Sequence, residues 1–126
     1  MNIDERRDRG EGVVGYVVLV PVALFMVMLG VQAAVYFHAA NIAQHAGARA
    51  VAVAARSGTG AAAGEAEART VVHDSGSTLV GVTVDGGDVV RASVTVRVSQ
   101  VVPLFPSSVT RRAVAPKERF VPEDQR

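Results

Sequence analysis

Three histidines, His38, His45 and His73, are the side chains in this sequence best suited to proton transfer or metal binding near neutral pH. His38 and His45 lie seven residues apart, two helical turns on one face. A zinc site asks for three or four donors, and neither a carboxylate nor a third ligand lies near this pair, so no metal site is expected. His73-Asp74, followed by Ser75 and Ser77, has the residue types of a hydrolytic triad. A triad, however, needs nucleophile, base and orienting carboxylate converging around a pocket, and nothing in the sequence places these residues around one. With no Cys, thiol catalysis, thiolate metal sites and disulfides are excluded. The Gly- and Ala-rich stretch Gly58 to Gly64 has no Lys after it and reads as a flexible linker rather than a phosphate cradle. Neither a zinc-protease helix nor a nucleophile elbow is present. Arg111, Arg112, Lys117 and Arg119 are interleaved downstream with Glu118, Glu123 and Asp124, the pattern of a solvated surface. A net charge of +1 gives no nucleic-acid footprint. The expectation is therefore a protein that is not an enzyme, with no catalytic residues, cofactor, metal, small-molecule substrate or nucleic-acid partner.

What remains is the element that dominates the chain. Hydrophobic residues make up 49 % of 126 residues, but they are segregated: from Gly12 to Ala48 there is no Asp, Glu, Lys or Arg. A globular core draws its apolar residues from the whole length, so this segregation marks a membrane segment. The run Val13 to Val31 has 19 residues, close to the roughly 20 a helix needs to cross the hydrocarbon core. Tyr16 sits near one end and Tyr36 with Phe37 beyond the other, where amphipathic rings favour the headgroup level. Pro21 removes a backbone donor and is expected to kink the helix.

Two fates remain open for this run. It can stay as an anchor, or it can be a secretory signal cut after the small-residue pattern Val31-Gln32-Ala33, releasing a small secreted binding module. The length favours the anchor, since the apolar core of a signal is typically about 7–15 residues. Arg6, Arg7 and Arg9 precede the span, whereas Arg49 and Arg56 are the first basic residues after it. That excess puts the N-terminus in the cytoplasm and the bulk of the chain outside a cell membrane.

Beyond the span, Ala33 to Arg56 is rich in Ala and continues the helix outward. His38, Asn41, His45, Arg49 and Arg56 form a polar stripe on it, and Val35, Ile42, Ala46 and Val53 a small apolar one. The small stripe suits close packing on a partner helix or on the chain's own sheet. A second short helix is expected over Ala61 to His73, broken by Asp74-Ser75-Gly76-Ser77. Period-two alternation then runs through Val80, Val82 and Val84, and again through Val90, Ala92, Val94, Val96 and Val98. With a turn at Asp85-Gly86-Gly87-Asp88 this is a half-buried antiparallel hairpin over 79–102. Pro103 and Pro106 should end its second strand, and Ser107 to Val114 should return as an edge strand closed by Pro116. The fold class is α+β: a long N-terminal transmembrane helix extended outward, then a small antiparallel sheet, as in pilins. The divisions are a cytoplasmic leader (1–12), a transmembrane helix (13–35), a juxtamembrane helix (36–57), an exported α+β domain (58–120) and a tail (121–126).

Arg9-Gly10 followed by "GYVVLVP", Gly15 to Pro21, resembles the opening of the TadE-like family, in which a basic residue and Gly precede a run such as "EFALVLP". "NIAQHAGARAVAVAA", Asn41 to Ala55, is similar to that family's "AQxAAREGARAAA" helix, and "APKERF", Ala115 to Phe120, to the ending of its actinobacterial members. The resemblance implies a small pseudopilin-like membrane protein acting structurally in tight-adherence (Flp) pilus biogenesis or secretion. Its implied partners are membrane lipid, an Flp-type pilin, other pseudopilins and the inner-membrane assembly platform. The same resemblance makes Gly10-Glu11 the possible processing site. An acidic residue is usual five positions after the processing glycine, where its charge can offset a neighbouring subunit's new amine inside the membrane. Here that position is Gly15, which argues against cleavage.

Overall fold

In the computed structural model the described residues are 4–118 apart from Ser57, with side chains from Gly12 onward; the expected tail, 121–126, lies outside them. Helix α1 (Asp4–Ala54) runs unbroken for 51 residues, about 75 Å at 1.5 Å per residue. It passes through Pro21 without interruption. Alanine dominates the helix from Gln32 onward, where no Pro, and only Gly47 among glycines, lowers helix propensity. Its end is built rather than frayed. The Ala55 N–H still reaches Val51 O at 2.9 Å, and the Thr59 hydroxyl donates towards the carbonyls of Val53 and Arg56. Gly58 then turns the chain at φ +84°, a conformation that favours glycine.

Helix α2 (Ala61–Asp74) begins at the residue expected for the second helix and runs one residue past its expected end, so the linker reading of Gly58 to Gly64 holds only as far as Gly60. Gly64 is instead a helical contact residue. A Cβ there would lie 2.6 Å from the Ala50 carbonyl oxygen and 2.9 Å from the Ala54 Cβ, so only hydrogen lets the two helices approach this closely. Arg49 and Glu67 join the helices at their rim with an ion pair of 2.9 Å. The helix closes in a Schellman arrangement: Gly76, at φ +70°, donates to His73 O, and Ser77 donates to Val72 O.

Strands β1 (Leu79–Asp85), β2 (Val89–Arg97) and β3 (Ser108–Pro116) form one antiparallel sheet with β2 in the centre. The alternation delivers the expected face: Val90, Ala92, Val94, Val96 and Val98 are all buried. In β1 the register shifts between Leu79 and Gly81. This bulge turns Val80 outward, 53 % exposed, and gives its inward place to Leu79, so the alternation Val80-Val82-Val84 holds only for its last two members. The β2 strand ends at Arg97, short of the prolines expected to stop it, although Val98 still donates to Ser107 O at 2.8 Å. The return strand is on the edge, as its sequence suggested.

Both helices cover one face of the sheet. The core joins Ala39, Ala43, Ala46, Ala50 and Ala54 of α1 to Ala68 and Val72 of α2 and to the valine face of β2. The α1 positions are spaced by four, three, four and four, one stripe of the helix. Expected members of that stripe were Val35, Ile42, Ala46 and Val53; Ala46 is fully buried and the other three flank it half-buried. Since methyl groups line the helix, its backbone lies close to the sheet, and at Gly47 the Ala113 Cβ stands 3.4 Å from where a Cβ would be. The opposite face of the sheet is polar: Arg91, Thr95 and Arg97 of β2 stand beside Thr110 and Arg112 of β3, with the Thr95 and Thr110 hydroxyls 2.8 Å apart.

Candidate membrane-spanning helix and its junction

The residues first considered for chemistry are dispersed. His38, Asn41, His45 and Arg49 are exposed along α1, away from the buried alanine stripe, and Arg56, expected on the same helix, is exposed just past its end at Ala54. His73 Nδ1 and Asp74 Oδ1 stand 3.5 Å apart in open solvent, and the Ser75 hydroxyl donates to Val72 O at 2.6 Å as part of the helix end. Among the described residues no cluster of three or more His, Asp or Glu could hold a metal ion. Gly10 and Glu11, where the resemblance implied a possible processing site, belong to the first turns of α1, and the side chain of Glu11 is outside the described set. The Cβ position of Gly15 opens into empty space.

The feature that needs an explanation is the first half of α1. From Gly12 to Met28 every residue is exposed, including Val13, Tyr16, Leu19, Leu24, Phe25 and Met26, and none of the most apolar window is buried within the chain. By length and composition this helix can cross a membrane. A single-sided apolar face would suit a soluble partner; an apolar surface all round suits lipid or a bundle within it. Contiguous exposed apolar surface on this scale marks an interaction surface, because water around it is unfavourable.

Gln32, the first polar residue after this run, was not singled out by sequence reasoning. It is 1 % exposed. Its Oε1 accepts the backbone N–H of Val101 at 2.7 Å and of Val102 at 3.0 Å, from a loop some seventy residues away. Its Nε2 is buried and has no partner among the described residues. Gln32 stands seven residues before Ala39 and so on the same face as the core stripe. A lone amide on that face, at the end of an apolar run, is the signal that could have found it. Val31-Gln32-Ala33 had instead looked like a signal-cleavage pattern. A chain beginning at Ala34 would lose the acceptor for both loop amides, so Gln32 belongs to the folded domain.

The architecture is thus a two-layer α+β domain carried on a helix that continues well beyond it. Compared with protein families, with curated proteins and with solved structures, the chain matches none.

Proposed function

We propose that this chain is a single-pass membrane protein of the TadE-like, pseudopilin-like kind, acting structurally in tight-adherence pilus biogenesis or secretion. The observation that carries the reading is the continuity of α1: one helix is bulky and apolar all round over its first half, then small-sided and packed under an antiparallel sheet. Pilin-like proteins are organised in this way, with a helix that holds the subunit in the membrane or an assembling bundle and a small domain outside. The motifs around Arg9-Gly10, Asn41 to Ala55 and Ala115 to Phe120 add the particular machine. The excess of Arg before the span orients the N-terminus to the cytoplasm and the sheet outside.

In this role the apolar helix keeps the protein in lipid, and the outer domain makes the contacts that prime or regulate polymerisation. An Flp-type pilin, other pseudopilins and the inner-membrane platform are its partners. The leader stays attached, because Gly15 lacks the carboxylate that would offset a neighbour's amine after processing at Gly10. The involvement of Gln32 in the outer domain favours an intact chain over release near Ala33. The test is deletion of the gene followed by electron microscopy of surface pili, with complementation. Loss or shortening of pili is the expected result; pili of normal number and length overturn the pilus assignment.

A further inference from the structure

The loop between β2 and β3 is apolar where loops are ordinarily polar. From Val101 to Pro106 it reads Val-Val-Pro-Leu-Phe-Pro, without a charge. Val102 is buried, but Leu104 is 84 % exposed, and Phe105 and Val101 are open as well. The loop is also held in place. Gln32 fixes the amides of Val101 and Val102, the Gln100 side chain donates to Phe105 O at 2.6 Å, and Val98 to Ser107 O closes the base. Two prolines restrict the backbone further. A segment tied down so fully, yet presenting Leu104 to the outside, has a built surface that nothing among the described residues covers.

Its position identifies the cover. The 19 residues from Val13 to Val31 rise about 28 Å, close to the thickness of the hydrocarbon core. Gln32 therefore stands at the edge of that layer, and the loop bound to it sits at the same depth. Farther along α1, Tyr36 and Phe37 are at headgroup level, packed edge to face at 6.1 Å. Arg97, at the end of β2, borders a cavity together with Val35 and His38 of α1.

Resting on the membrane reading above, the geometry points to the Val101–Pro106 loop as a second membrane contact, a wedge whose Leu104 and Phe105 enter the outer leaflet beside α1. One helix alone leaves the domain free to rotate about and tilt from the membrane normal. A second contact, off the helix axis, sets which side of the domain faces the bilayer and which side remains open to a partner.

The chain has no Trp, so one introduced Trp is a unique reporter of depth. Leu104→Trp, Leu24→Trp and Val114→Trp are each made in the full chain and reconstituted into phosphatidylcholine–phosphatidylglycerol vesicles carrying brominated acyl chains. Leu104 and Val114 are exposed, so both substitutions leave the core intact. The expected result is blue-shifted emission at position 104, quenched best by bromines near the headgroup. Position 24 should be quenched by deep bromines, and position 114, on the outer face of the sheet, not quenched. If position 24 is quenched and 104 is not, the wedge is overturned and the anchor stands. If neither is quenched, the membrane reading itself fails. Quenching at 114 equal to that at 104 overturns the wedge in favour of a domain lying flat on the surface.

Discussion

The two halves of α1 have one backbone and opposite surroundings. From Gly12 to Met28 the helix carries Val, Leu, Phe and Met on all sides, and no side chain there is buried. From Gln32 to Ala54 the apolar side chains shrink mostly to Ala, and one stripe of them is almost wholly buried. Side-chain size separates the two uses of an apolar helix. Small residues allow a sheet to come close enough for dispersion contacts along the backbone. Large residues with no neighbour in the chain are suited to a solvent that is itself apolar. The first half is adapted to what surrounds the molecule, and the second to the molecule's own core.

The largest expected effect breaks the first half. Leu24→Arg with Val27→Arg places two charges near the centre of the span, at a combined insertion cost of about 6 kcal/mol. Alkaline carbonate extraction should find this variant in the soluble fraction, while the native chain stays with the membrane. Ala48→Arg, on the exposed side of the second half, should change stability by less than about 0.5 kcal/mol and leave fractionation unchanged. Should the double-arginine variant remain in the membrane, the surroundings of the two halves do not differ as described.

A smaller effect separates the halves by space alone. Gly64→Val forces a side chain against the Ala50 carbonyl and the Ala54 methyl, and should cost about 3 kcal/mol in urea unfolding followed by circular dichroism. Gly30→Val, with nothing within 4 Å, should shift the midpoint by less than about 0.5 kcal/mol. Equal costs at the two glycines would mean that the approach of α2 to α1 is not limited by the missing Cβ.

Most of the architecture was legible in the sequence because it rests on local periodicity. The alanine run, the apolar residues at every second position from Val90 to Val98 and the edge strand ending at Pro116 each declare their element within a few residues. The bulge that exchanges Val80 for Leu79 was not legible, because a one-residue shift in pairing depends on the partner strand. Gly64 fell inside both the expected second helix and a stretch read as a linker, and composition cannot show that its missing Cβ meets Ala50. Gln32 and the Val101–Pro106 loop stand about seventy residues apart in sequence, and their meeting leaves no local trace beyond an isolated amide.

Gln32 lies at the change from one regime to the other, and the smallest effect is expected there. Gln32→Met keeps shape and removes the acceptor, leaving the Val102 amide in a buried site without its bond, at a cost of about 1–3 kcal/mol. Part of that cost is offset, because the same substitution removes the buried Nε2, which lacks a partner among the described residues. A net loss of about 1.4 kcal/mol corresponds to roughly tenfold faster amide hydrogen exchange at Val101 and Val102. Exchange along α1 should not change, since its ladder does not pass through the side chain. Membrane fractionation should also hold, because the variant lengthens the apolar run by one residue. Unaltered exchange at the two loop amides would assign the loop's position to Pro103, Pro106 and the burial of Val102. The two halves of α1 would then meet in a gradient of side-chain size, without a residue that marks the border.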